Sequence, residues 1–269
     1  MAGAGLAGVG GLGYAGYVEP GWVEINRVKL ALAGLAPQFE GYKLAHISDL
    51  HVDEVWMTRA QLVELAGLVN EQKPDLVCMT GDYVTHSAEL FAEDLVAGLS
   101  RLEARDGVVA VLGNHDHWSG AGVVRDALSR GGVMDISNGV HTLWRDSGML
   151  HMAGVDDVWM MKQRMGEVLE AVPVEGAAIL LAHEPDFADE SAATGRFGLQ
   201  LSGHTHGGQV QVPFVGPLRL PPLGTKYHNG LYRVGEMLVY TNRGVGMVKP
   251  YVRFNCRPEV TVITLGVSG

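Results

Sequence analysis

The 269-residue sequence predicts an α/β fold in which helices pack on mixed β-sheets. Three observations predict it. From residue 22 onward, short apolar runs alternate with amphipathic segments. No linker, repeat or low-complexity stretch interrupts that alternation, so residues 19–269 read as a single domain. A content of 47% hydrophobic and 19% charged residues excludes an intrinsically disordered chain.

Taken in order, residues 22–32 and 42–47 read as strands. Residues 58–72 read as a helix, because Leu62, Leu65, Ala66 and Val69 form one apolar face and Thr58 with Gln61 has capping-box spacing. Lys73-Pro74 ends it. Residues 75–80 are a strand, 87–102 a helix, 108–112 a strand and 123–129 a helix. Strands follow at 140–144 and 149–155, then a helix near 163–171 and buried-type strands at 177–182 and 199–201. Runs at 231–234, 238–240 and 260–265 close the chain with more β-structure.

Residues 1–18 stand apart as an apolar leader, with seven glycines in the first seventeen positions and no charge from 2 to 18. The run is slightly short of the ~20 residues that cross a bilayer. It has the character of an export-signal h-region without its basic n-region, so it reads as a truncated signal or anchor, with a functionless tail as the alternative. Gly3-Ala4-Gly5-Leu6-Ala7-Gly8 matches G-x-G-x-x-G, but no strand precedes it, so a dinucleotide site is rejected.

A net charge of −10 with no extended Lys/Arg block argues against nucleic-acid partners, whose binding rests on cations neutralising phosphates. It leaves room for a small anionic substrate held by metal ions. Cys78 and Cys256 are too few for a disulfide framework or a four-thiolate site, and Cys78 reads as a buried, inert thiol. No protein partner is indicated.

The chemistry lies at the strand ends, where α/β folds place ligands. Asp49-Leu50-His51 follows one apolar strand, and its i, i+2 spacing puts both side chains on one side of an extended backbone. Gly81-Asp82 follows the next, and Gly113-Asn114-His115-Asp116 the next. His183 and Gly203-His204-Thr205-His206 follow two more. A single Gly-Asp is usually a turn and a lone histidine usually structural; the ordered set is what carries information.

That order resembles the calcineurin-like metallophosphoesterases from about Lys43 to Gly208. Glu19-Pro20-Gly21-Trp22, Gly207-Gly208-Gln209, the turn from Thr241 to Gly246 and the run from Asn255 to Val260 are similar to a bacterial branch whose members often carry a twin-arginine export signal. Some relatives hydrolyse the pyrophosphate of UDP-diacylglucosamine. The resemblance implies two mixed β-sheets sandwiched together and flanked by helices. It also implies two divalent metal ions, one held by Asp49, His51 and His206 and one by Asn114, His183 and His204. Asp82 would bridge them through its two carboxylate oxygens.

An all-N/O donor set suits Mn, Fe, Zn, Co or Ni without choosing among them. Two divalent ions against two aspartates and one bridging hydroxide leave the site at about +1, attractive to a phosphodiester anion. The implied reaction is hydrolysis of a phosphodiester or pyrophosphate bond by a metal-bound hydroxide. His115 matches the family's non-ligand histidine, which stabilises the transition state or protonates the leaving oxygen.

The substrate class is a small phosphate ester or a nucleotide-activated lipid such as UDP-diacylglucosamine. A phosphomonoesterase, a cyclic-nucleotide phosphodiesterase and a non-catalytic metal-binding module are the rivals. One departure stands out. Where phosphatases of the family place an Asp three residues after the bridging Asp to orient the catalytic histidine, this chain has Thr85, so that task is expected to fall to another group, Asp116 being one candidate, or to be weaker.

Arg243, His86 and His117 are further substrate-binding candidates, with a loop ion pair as the competing reading for Arg243. Residues 212–224 are apolar and Pro-rich, and read either as a packed loop or as an exposed rim for an acyl chain or a membrane surface. With the leader, this places the chain as bacterial and exported or membrane-associated. A leader that is no signal would place it in the cytoplasm.

Overall fold

The computed structural model describes residues 13–268. The leader segment up to residue 12, with its G-x-G-x-x-G run, lies outside the described residues; Tyr14–Val18 form a helical turn. Strands β1 (Glu24–Leu32), β2 (Lys43–Ile47), β3 (Leu76–Thr80), β4 (Val108–Val111) and β5 (Val133–Asp135) alternate with helices α1 (Arg59–Glu71), α2 (Ala88–Leu99) and α3 (Asn114–Arg130). Then come β6 (Gly139–Arg145), β7 (Gly148–Gly154), α4 (Met165–Ala171), β8 (Ala177–Leu181), α5 (Ala188–Ala193) and β9 (Leu199–Ser202). A small hairpin, β10 (Gln211–Val212) with β11 (Gly216–Pro217), precedes β12 (Gly230–Val234), β13 (Met237–Thr241) and β14 (Glu259–Val267).

Two six-stranded sheets result, ordered β1-β14-β2-β3-β4-β5 and β12-β13-β9-β8-β7-β6. Both are mixed: β14 runs antiparallel to β2 in the first, and β6 and β12 antiparallel to their neighbours in the second. The expected sandwich is therefore what forms. Leu44, Leu76, Cys78, Val109 and Val111 of the first sheet meet Leu150, Met152, Ile179, Leu181, Leu199 and Leu201 of the second in one core.

The alternate residues of the same strands, among them Ala45, Ile47, Val77, Met79 and Ala110, turn outward beneath α1, α2 and α3. The second sheet's outer face is covered through Val168 of α4 and Phe187 and Ala188 at the start of α5. Because both faces are buried, these strands read as continuous apolar runs.

The expected elements are present, with ends shifted by one to three residues except at one helix. The helix expected over 123–129 begins at Asn114 and is broken at Gly120 (φ 122°), because polar site residues occupy its first turn and mask the apolar period. Thr58 stands before α1 without capping its backbone; its hydroxyl meets the Gln61 side chain instead. β5, α5 and the β10–β11 hairpin were too short to announce themselves by period. Among the described residues, no helix is long and apolar enough to cross a membrane.

Parallel strands β2, β3 and β4 of one sheet and β8 and β9 of the other end on the same edge of the sandwich. That edge carries the site.

Candidate metal centre

The chain leaves each strand through a tight turn that aims the next polar side chain inward. Asp49, His51, Asp82, His204 and His206 all have positive φ, between 49° and 71°. Asp and His tolerate this left-handed region better than most residues, yet each such position costs on the order of 1 kcal/mol. Positive φ occurs at other non-glycine positions too, such as Lys73 and Asn138, but five of the residues expected to carry the chemistry share it.

Glycines make the approach possible. A Cβ on Gly203 would lie 1.8 Å from Ser48 Oγ and 2.3 Å from Asp49 Oδ2. One on Gly113 would lie 2.4 Å from Asp82 Oδ1.

Three groups of donors that could hold a metal ion come together: Asp49, His51 and His206; His51, Asp82 and His115; and Asp82, His183 and His204. Asp82 Oδ2 lies 3.5 Å from His51 Nε2 and 3.3 Å from His183 Nε2, while Oδ1 accepts the His115 backbone N–H at 2.8 Å. A single oxygen thus faces both sides, where the sequence reading expected a bridge through two. His206 Nε2 is 3.4 Å from Asp49 Oδ1 and 3.1 Å from His51 Nε2. Asn114 lines the same cavity, its buried Oδ1 without a hydrogen-bond partner among the described residues.

The donors fit a cation on their own chemistry. His183 Nδ1 donates to the Thr80 carbonyl at 2.6 Å, and His204 Nε2 donates to the Pro222 carbonyl at 2.9 Å. Each ring therefore turns its other nitrogen inward, a bare lone pair whenever that ring is neutral. Those two nitrogens are 3.1 Å apart and face the Asp82 carboxylate, an arrangement that only a cation or a trapped proton relieves.

Burial drives His51 down to about 3, His204 to about 4 and His206 well below the ordinary histidine value, so all three are neutral at pH 7, the ligating state. Burial opposes charge on His183 too, but Asp82 beside it prevails and holds its pKa well above the ordinary value. Burial likewise raises the Asp82 carboxyl, and His183 and His115 overcome it and pull it well below.

His115 is oriented by backbone: its Nδ1 donates to the Thr85 carbonyl at 2.9 Å. Asp116, one candidate for this task, faces elsewhere. Its carboxylate accepts the backbone N–H groups of Gly113, Asp82 and Tyr83 at 2.8–2.9 Å, tying the turn after β3 to the start of α3. An adjacent residue on a helix projects about 100° around the axis, so sequence neighbourhood does not give proximity.

The other candidates lie outside the cavity lining. Arg243 pairs with Glu259 at 2.6 Å and Glu24 at 2.8 Å, so its ion-pair reading replaces its substrate role. The turn that follows it backs Asp49, with Gly246 N donating to the Asp49 carbonyl at 2.7 Å. His86 is half-exposed against Phe91 and Glu54. His117 is bonded to Asp156 at 2.7 Å. Neither is placed to touch a substrate in the cavity.

That cavity, about 450 Å³, has Asp82, Asn114, His115, His204 and His206 on its lining, with walls that include Trp118, Trp159, Leu218, Pro221 and Val248. Of the stretch 212–224, residues 218–222 line it, while Phe214 and Val215 at the hairpin tip are exposed, so this stretch is a rim and not a packed loop. Trp118 and Trp159 were not singled out by sequence. An i, i+3 relation to His115 would have found Trp118 had the helix been read from Asn114; Trp159 stands in a loop with no such signal.

Fold and site together define a metal-dependent phosphoester hydrolase, and comparison with known proteins gives the family. The calcineurin-like phosphoesterase model matches residues 42–208, which contain all five strand ends. The uncharacterized metallophosphoesterase YkuE of Bacillus subtilis is 38% identical over 268 residues, covering 98% of this chain and 93% of its own. Phosphodiesterase YaeI of Escherichia coli is 34% identical, covering 97% and 95%. Among solved structures, the NAD nucleotidase of Haemophilus influenzae superposes with a TM-score of 0.51 at 15% identity, over 76% of this chain and 45% of that one, a likeness of fold. The chain belongs to the calcineurin-like metallophosphoesterase family.

Proposed function

We propose that the chain is a dinuclear hydrolase of phosphodiester or pyrophosphate bonds. The observation that carries this reading is Asp82 Oδ2, within 3.5 Å of a histidine from each of two donor groups. Asp49, His51 and His206 would hold one ion and Asn114, His183 and His204 the other, with Asp82 common to both. Mn, Fe, Zn, Co and Ni all suit these donors. When bound, such a pair supplies positive charge to the phosphoryl oxygens and an acidified water.

The protein's own part is positional. The strained turns hold the donors in place, and His115 stands at the cavity with Nδ1 committed to the Thr85 carbonyl. Its Nε2 is thereby left to carry a proton to the departing oxygen.

YaeI is a phosphodiesterase by name, which supports diesters over monoesters here. The exposed Phe214, Val215 and Leu218 beside the cavity and the uncharged stretch 2–18 support a lipid-bearing substrate, such as a nucleotide-activated lipid, met at a membrane surface. Filled donor positions count against a non-catalytic module.

Metal analysis and turnover test the reading together. About two equivalents of metal per chain are expected, with chelation abolishing turnover and bis(p-nitrophenyl) phosphate cleaved faster than p-nitrophenyl phosphate. Asp82→Ala should lose both metals and activity. Faster monoester cleavage would overturn the diester assignment, and metal bound without any turnover would favour the module.

A further inference from the structure

Trp118 lies one helical turn after His115 on α3 and packs against its ring, centroids 4.8 Å apart at 58°. Trp159 stands edge-on to Trp118 at 5.4 Å and edge-on to His204 at 5.5 Å. An unbroken run of rings thus extends from the non-ligand histidine after one sheet to a donor histidine after the other, along one side of the cavity. The run is held from behind. Glu184, next to His183, accepts the backbone N–H groups of Val158 at 3.1 Å and Trp159 at 2.9 Å. Gly120 ends the helical segment that presents Trp118.

Packing alone does not explain this arrangement. Trp118 is 53% exposed, whereas an indole of that size in a core would be covered. Among the described residues its N–H meets only the Met160 thioether, a weak acceptor. Both tryptophans line the cavity, which on another side presents apolar Leu218, Pro221 and Val248. Trp118 and His115 thus stand side by side on the cavity lining.

We propose that Trp118 and Trp159 form a ring-binding wall on the leaving-group side, so that the preferred ester carries a planar unsaturated ring close to the scissile phosphate. This rests on the hydrolase reading above. Water adds to phosphorus, the bond from phosphorus to the ring-bearing oxygen breaks, and that oxygen departs with a proton. An aryl and a nucleobase-bearing group share the chemistry that the wall recognises: a flat π-face offered to indole.

Three diesters, given to the metal-loaded full-length chain, test it: bis(p-nitrophenyl) phosphate, thymidylyl-thymidine and glycerophosphocholine. Trp118→Ala and Trp159→Ala should lower kcat/KM for a ring-bearing ester by roughly 5- to 100-fold relative to glycerophosphocholine, mainly through KM. Trp118→Phe should keep most of the wild-type value. A fall limited to the nitrophenyl ester marks an aryl group as the occupant, and a fall on thymidylyl-thymidine as well extends it to nucleobases.

A second readout needs no turnover. The non-hydrolysable 4-nitrobenzylphosphonate should quench tryptophan fluorescence in the wild type and much less in Trp118→Phe. Equal losses on all three esters, or no loss and no quenching, would overturn the wall. So would lost binding to phospholipid vesicles with ester kinetics unchanged, which would make Trp118 a membrane contact. Wild-type failure on every ester with quenching intact would instead remove the hydrolase reading and leave the wall standing.

Discussion

Thr85 does its work through its carbonyl, which holds His115 Nδ1 at 2.9 Å, while its hydroxyl donates to the His51 carbonyl at 3.1 Å. A side-chain motif cannot report a backbone acceptor, and this is why the sequence left the task open, with Asp116 as one candidate. The donor residues themselves were legible because their chemistry demands particular side chains in a particular order. Thr85→Ala should therefore keep near-wild-type turnover and lose only one hydrogen bond, about 1 kcal/mol of stability. His115→Ala should keep its metal and lose about 10²- to 10⁴-fold in kcat. Steady-state kinetics beside thermal melts separate the two, and a large kcat loss in Thr85→Ala with metal retained would show that the side chain matters.

At the scale of elements, the recurring device is a strand that ends in glycine and a strained polar residue. Gly203 leaves room for Asp49, whose carboxylate accepts the His204 backbone N–H at 3.0 Å with both oxygens. This couples the turn after β9 to the turn after β2, across the two sheets. Glycine before a ligand was legible as a turn, but its second use, clearance for a residue 154 positions earlier in the chain, exists only once the strands have been brought side by side. Short α5 and the β10–β11 hairpin escaped the sequence for a related reason: their few residues are held by neighbours and not by their own period. Gly203→Ala should displace Ser48 and Asp49 and lower both metal content and turnover. Gly67→Ala is the control: its Cβ meets nothing within 4 Å on α1, and helix propensity predicts a gain of up to about 1 kcal/mol. Metal stoichiometry and Tm for the pair check this, and a fully loaded Gly203→Ala enzyme would count against the clearance role.

Across the whole molecule, the first and last strands meet in one sheet, where β1 and β14 pair in parallel over nine residues. Alternation of apolar runs with helices could suggest α/β packing, but not that the last strand would lie between the first and second. That pairing is non-local, and it depends on side chains far apart in sequence. Arg243, after β13, is one of them: it joins Glu24 of β1 to Glu259 of β14, and Glu259 is also bonded by Tyr240 at 2.5 Å and Thr261 at 2.7 Å. Because Glu259 is buried, Arg243→Met would leave its carboxylate without a cation, at a cost of about 3–5 kcal/mol. Denaturant melts should show that loss, while KM for bis(p-nitrophenyl) phosphate stays at the wild-type value, since Arg243 lies outside the cavity lining. A raised KM with undiminished stability would return Arg243 to the substrate and remove it from the closure of the sheet.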